Sequence, residues 1–141
     1  MSKRRLLVVD DEPSLLRLLQ ASLETEGYEV ILASDGETAL KMVDREQPDF
    51  MVLDVMMPVI DGWGVLEKIK DRPKRPRVIC LTAKANRRDL VKGWMLGADE
   101  YLTKPFDLEK LFETIAEVER RSPDEQAERR SAALKELLAG D

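Results

Sequence analysis

The sequence predicts an α/β fold in which a parallel sheet lies between two layers of helices. Three observations carry this expectation. Short apolar runs alternate five times with stretches of helical periodicity. Those runs are continuous rather than alternating, as in strands buried on both faces. The connections are short, which favours right-handed crossovers between neighbouring parallel strands.

The first run, "RLLVV", is followed by "PSLLRLLQASLETEG", where Leu15, Leu18, Leu19 and Leu23 recur at helical spacing and Gly27 provides the stop. "YEVILA" gives a second strand, and "DGETALKMVDREQP" a helix closed by Pro48. "DFMVLD" and "RVICLT" are the third and fourth strands, each followed by a helix, in "DGWGVLEKIKDRP" and "ANRRDLVKGWMLG". "EYLTK" is the fifth. After it, "DLEKLFETIAEVERR" places Leu108, Leu111, Phe112 and Ile115 on one face.

One helix lies beyond the alternation. "RSPDEQ" offers Ser122 as N-cap, Pro123 at the first helical position and Glu125 as capping-box partner. The helix is expected to run to about Ala139, with Gly140 as its stop. Its apolar stripe of Ala127, Leu134, Leu137 and Leu138 is thin, so a solvated linker is the plain expectation, against docking back or pairing with another protomer. The chain therefore divides into a domain at 1–121 and a helical tail at 122–141.

Composition narrows the chemistry. With 141 residues, 43% apolar and 36% charged, the chain is long enough for a real core under a hydrated surface. The net charge of −5 and dispersed basic residues argue against direct nucleic-acid binding, "PKRPR" being too short for a stripe. The apolar start of the chain is too short for an export signal, and no run approaches a membrane span. A single cysteine, Cys80, sits in apolar "VICL" and fits core packing in a reducing cytoplasm. There is no histidine, which removes Ser-His-Asp triads, Cys-His dyads and histidine-bound zinc from this chain.

In open α/β sheets the functional crevice lies beyond the carboxyl ends of the strands. Here the ends carry Asp10 and Asp11 (strand one), Asp54 (three), Thr82 (four) and Lys104 (five). A flavodoxin-like order, 2-1-3-4-5, makes those four strands neighbours. Three carboxylates in one crevice repel one another, and a hard divalent cation relieves the repulsion; an all-oxygen set suits Mg²⁺. Lys104 and Thr82 add an ammonium and a hydroxyl, completing a receptor for phosphoryl oxygens, with Asp54 as nucleophile. Taken singly, each residue has a plainer role: Asp11 or Glu12 at a helix N-terminus, Asp54 in a loop, Thr82 as a turn cap, Lys104 in solvent. The four plain roles must all hold at once, at four strand ends facing one crevice.

At these residues the sequence resembles the receiver domain of two-component response regulators, over about Lys3 to Arg121. "VVDDEP", "VLDVMMP-x-x-DG", "LTAK" and "GADEYLTKPF" occur in the family's order and spacing. The resemblance implies that Asp54 accepts a phosphoryl group from a phosphohistidine, on a sensor histidine kinase or a phosphotransfer protein. It implies that Asp10, Asp11, Asp54 and the Met56 backbone carbonyl bind Mg²⁺, and that Thr82 and Lys104 contact the phosphoryl oxygens. It further implies that Tyr101 swings inward when Thr82 moves, that the Lys104–Pro105 bond is cis, and that Met56 and Lys84 tune the rate of dephosphorylation. Departures are Val59 and Ile60 after the "MMP" proline, which stiffen that loop, and bulky Trp94, Met95 and Leu96. Leu96 is expected in the core; Trp94 is left between core and an exposed recognition patch.

The expected function is a phosphorylation-switched signalling module, not a turnover enzyme, with a cytoplasmic location and a downstream protein target. The signal is expected at the face formed by the fourth and fifth helices and the fifth strand, with homodimerisation on phosphorylation as one form of output. A haloacid-dehalogenase-like phosphohydrolase is disfavoured because Asp10 and Asp11 are adjacent rather than spaced as D-x-D, and no cap domain is in view. A phosphorylation-independent scaffold and a flavodoxin-type cofactor carrier rank lower, the latter for want of a glycine-rich loop after strand one.

Overall fold

All five apolar runs form strands: β1 (Arg5–Val9), β2 (Glu29–Ala33), β3 (Phe50–Asp54), β4 (Arg77–Thr82) and β5 (Glu100–Thr103). The computed structural model describes residues 4–57, 61–83 and 86–140. The strands pair in parallel in the order β2-β1-β3-β4-β5, as expected. Between and after them run α1 (Pro13–Thr25), α2 (Gly36–Glu46), α3 (Gly62–Ile69), α4 (Arg87–Met95), α5 (Leu108–Arg120) and α6 (Pro123–Ala139).

Alternate strand residues feed two cores. Leu6, Val8, Val52, Ile79 and Leu81 meet Leu19, Leu23, Leu111 and Ile115 of α1 and α5. Leu7, Val9, Met51, Leu53 and Cys80 meet Val43, Val65, Leu66 and Ile69 of α2 and α3 on the other side. Residues Leu6 to Val9 of β1 are all fully buried, each worth about 1.5–3 kcal/mol. That drive fixes where Asp10 must sit: at the end of a strand that cannot slip.

Helix ends follow the local chemistry. Asp35, Asp61 and Asn86 cap α2, α3 and α4 by accepting the N–H of Thr38, Gly64 and Asp89. Gly27, at φ +97°, lies beyond the end of α1, whereas α2 ends at Gln47, which takes the left-handed conformation itself before Pro48. Tyr28 stays outside β2 and meets Phe50 edge to face.

The tail helix differs most from expectation. Ser122 and Glu125 form the capping box, with Pro123 in the first turn, as the sequence predicts. Yet α6 is no solvated linker; it folds back and packs on α4. Its buried positions are Gln126 and Ala133, while Ala127 and Leu138 of the predicted stripe are exposed. Polar side chains make the contact: Gln126 donates to the Asp99 carbonyl, Arg130 to the Ala98 carbonyl and Asp99, and Arg129 to Glu100. At the opposite end, Arg87 of α4 donates to the Gly140 carbonyl at 2.9 Å, so the two helices run antiparallel. Trp94 is thereby covered and only 3% exposed, Leu96 is half-buried against the core, and Met95 is 68% exposed.

Candidate functional site

β1 and β3 end side by side, in register through Val9 and Leu53, so Asp10 and Asp54 emerge together. Each carboxylate is held by a turn that its own chain makes. Asp10 accepts the Glu12 N–H at 3.0 Å, and Asp54 accepts the Met56 N–H at 2.9 Å. Glu12, at the N-cap of α1, makes no side-chain cap bond, so the plain helix-capping role does not describe it. Asp10 is fully buried and Asp54 is 3% exposed, while Asp11 faces solvent.

One carboxylate oxygen from each of Asp10, Asp11 and Asp54 lies within 4.8 Å of the others. Lys104 reaches in from the end of β5, its ammonium 3.1 Å from Asp10 and 3.5 Å from Asp54. Burial raises the Asp54 carboxyl above the usual carboxylate range; the Met56 N–H opposes this, and the Asp10 charge adds to it. Burial alone would lower the Lys104 ammonium, yet its bond to Asp10 and the charges of Asp10 and Asp54 leave it raised. Among the described residues, the Lys104 ammonium thus pairs with two of the three clustered carboxylates. The donor set is all oxygen, clustered, and open on the Asp11 side, which fits a hard divalent cation that retains water.

Thr82 closes β4 and is 2% exposed. Its carbonyl accepts the Lys104 N–H at 2.8 Å, which ties the threonine strand to the lysine although Lys104 lies one residue past β5. Cys80 pairs with Tyr101 and Thr82 with Thr103, so Thr82 and Tyr101 project from the same face of the sheet. The Tyr101 hydroxyl lies 3.4 Å from the Leu90 carbonyl and 3.5 Å from that of Asp89. Its ring meets Trp94 at 5.6 Å, and burial pushes its phenol well above the ordinary range. The Lys104–Pro105 peptide is cis. Met56, half exposed, sits on the rim two residues past Asp54. Lys84, Val59 and Ile60 lie outside the described residues.

Two features went unread in the sequence. Gly62 follows the Asp61 cap, and a Cβ there would stand 2.4 Å from the Val55 Cα, so only glycine lets α3 start so close to the β3 end. The "DG" pair carries that signal. Asp99 and Glu100, quoted only inside "GADEY", prove to be buried and multiply paired: Asp99 accepts from the Val78 N–H, Arg75 and Arg130, and Glu100 from Arg121 and Arg129. No local pattern announces partners so distant in the chain.

A doubly wound sheet with acids, hydroxyl and lysine at adjoining strand ends defines a class of phosphoryl-handling signalling folds, and the comparisons place this chain within it. The family model for the response regulator receiver domain matches residues 6–116. The chain belongs to that family. It is 46% identical over 119 residues to the alkaline phosphatase synthesis transcriptional regulatory protein PhoP of Bacillus subtilis, covering 84% of this chain and 50% of that protein. The chain spans about half the length of the curated relatives it matches. Among solved structures, chemotaxis protein CheY4 of Vibrio cholerae superposes with a TM-score of 0.80 at 29% identity, over 83% of this chain and 99% of that one. A CheY-like receiver domain protein of Methanospirillum hungatei gives 0.79 at 31% identity, over 91% and 99%. Among the described residues, no helix is long and apolar enough to cross a membrane.

Proposed function

We propose that this chain is a phosphorylation-activated receiver that takes a phosphoryl group on Asp54 from the phosphohistidine of a sensor kinase or phosphotransfer protein. The supporting observation is the cluster of Asp10, Asp11 and Asp54 with the Lys104 ammonium paired to Asp10 and Asp54. In the transfer, an Asp54 carboxylate oxygen forms a bond to phosphorus as the phosphorus–nitrogen bond breaks, and the imidazole nitrogen leaves to be protonated. Asp10, Asp11, Asp54 and the Met56 carbonyl would hold Mg²⁺, which when bound neutralises the carboxylates and the incoming phosphoryl oxygens. Lys104 balances the added charge, and Thr82 turns its hydroxyl to the phosphoryl group. Tyr101, on the same sheet face, follows into the space Thr82 leaves, and the α4–β5–α5 surface changes its preferred partner.

In this reading the chain is a cytoplasmic signalling module and not a turnover enzyme, and Lys84 modulates the lifetime of the aspartyl phosphate. Its output goes to a protein target or a second copy. The test is intact-mass measurement after incubation with Mg²⁺ and acetyl phosphate. One phosphoryl increment is expected, absent with EDTA and absent in Asp54→Asn. An equal increment in Asp54→Asn overturns the acceptor assignment, and steady multiple turnover of a phosphomonoester overturns the signalling role.

A further inference from the structure

We propose that α6 is a tethered cover on the α4–β5 face, released by phosphorylation at Asp54, and that the uncovered face takes an arginine-bearing helix of a partner. The linkage to Asp54 rests on the receiver reading above; the cover itself rests on contacts seen directly.

The hold of α6 is polar and built from few groups. Arg129 lies over the Trp94 ring at 5.2 Å and also pairs with Glu100, Arg130 pairs with Asp99, and Gln126 reaches the Asp99 carbonyl. The only α6 residues buried are Gln126 and Ala133. A contact of this kind opens without exposing a large apolar core, which places α6 at the low-stability end of the fold. Its start does not depend on docking, because Ser122 and Glu125 cap it from within and Arg121 and Ser122 form an extended joint. Undocked, it keeps its own helix start.

Both ends of the cover abut elements that leave the phosphorylation site. Trp94 contacts both Arg129 and Tyr101, and Tyr101 shares a sheet face with Thr82. Withdrawal of the Tyr101 ring removes the support behind Trp94 and with it the platform for Arg129. At the other end, Arg87 opens α4 just past the connection from Thr82, and it holds the last carbonyl of the chain's helical tail. Release leaves a surface of Trp94, Asp99 and Glu100. Asp99 and Glu100 then keep Arg75 and Arg121 but lack the guanidinium groups of α6, so the complementary partner is a helix presenting adjacent arginines beside a small residue.

The experiment is amide hydrogen exchange over α6 in the full chain, with intact mass recorded on the same samples. Molecules that carry the phosphoryl group after Mg²⁺ and acetyl phosphate are expected to exchange α6 amides at least about tenfold faster than unphosphorylated ones. Ala133→Glu keeps a good helix former but drives a long charged side chain into the buried contact; it should give the same acceleration with no phosphoryl donor. That variant should also bind a labelled peptide of the Ser122–Gly140 sequence at least about tenfold more tightly than the parent, where tethered α6 competes. Arg129→Ala, which leaves Ala133 in place, should accelerate exchange several-fold. Equal α6 protection with and without phosphorylation, the mass gain being present, overturns the linkage alone. Absence of the mass gain overturns the receiver reading and the linkage together. Unchanged exchange in both Ala133→Glu and Arg129→Ala overturns the cover.

Discussion

Replacing Asp54 by asparagine should stabilise the chain without a cation and destabilise it, relative to the parent, when Mg²⁺ is abundant. Without a cation, the Asp54 charge faces oxygens of Asp10 and Asp11 within 4.8 Å and the Lys104 ammonium at 3.5 Å. At an effective dielectric of about 20, each carboxylate costs about 3.5 kcal/mol and the lysine returns about 4.7, leaving about 2 kcal/mol against the ionised form. Burial of Asp54 adds to that cost, whereas the exposure of Asp11 screens part of it. The Met56 N–H bond survives on the asparagine carbonyl and largely cancels. Asp54→Asn is therefore expected to gain about 1–2 kcal/mol, a rise of about 3–6 °C in Tm for a domain of this size. The raised carboxyl of Asp54 fixes the pH behaviour: the parent loses stability as pH rises through that group's folded-state pKa. The advantage of the variant is thus full above that pKa and fades as pH falls below it. With Mg²⁺ at about 1,000-fold its Kd the parent gains about 4.1 kcal/mol, while a variant lacking one ligand charge gains less than half of this, a swing of more than about 2 kcal/mol that reverses the order. Thermal unfolding by circular dichroism, in EDTA and across a Mg²⁺ titration, reads both arms. A variant less stable than the parent in EDTA, or two Tm curves rising in parallel with Mg²⁺, would refute the electrostatic account.

Two further perturbations probe the rest of the fold. Asp99→Ala strips the acceptor from the Val78 N–H, Arg75 and Arg130 at once, and urea unfolding should show a loss of about 3–5 kcal/mol; a loss below about 1 kcal/mol would mean the network is dispensable. Gly93→Ala gains about 1 kcal/mol of helix propensity, but its Cβ would fall 1.4 Å from the Tyr101 hydroxyl and 2.7 Å from the Trp63 ring. A net loss of about 1–3 kcal/mol is expected, smaller in a Tyr101→Phe background; equal losses in the two backgrounds would place the hydroxyl elsewhere.

Most of the fold was legible because its signals are local. Continuous apolar runs mark the strands, the Ser122 capping box marks the start of α6, and the rule on strand carboxyl ends points Asp10, Asp11, Asp54, Thr82 and Lys104 to one crevice. What stayed hidden depends on contacts between distant residues. The docking of α6 leaves no apolar stripe because its face is made of Gln126, Arg129, Arg130 and Ala133, and three of those four read as solvent-facing. Trp94 was undecided for the same reason: its burial is conferred by a helix whose own docking is polar. The left-handed Gln47 was missed because no glycine marks it.

The two acidic clusters of this fold separate function from structure by their balance of charge. Asp99 and Glu100, two carboxylates, are met by four guanidinium groups, those of Arg75, Arg121, Arg129 and Arg130. Among the described residues, the cluster of Asp10, Asp11 and Asp54 is met by the Lys104 ammonium, which pairs with Asp10 and Asp54. Buried charge is tolerated when partners satisfy it, so with α6 docked the first cluster is complete and holds elements together. Among the described residues the second carries an excess of negative charge, which a bound cation relieves, and this makes its stability and geometry responsive to a ligand. The two are joined by β5, which begins at Glu100 beside the satisfied cluster and ends next to Lys104 in the unsatisfied one. A change in charge at Asp54 is thus delivered to a strand whose other end anchors α6. For that reason the proposed cover and the proposed acceptor would belong to one switch rather than to two separate features of the surface.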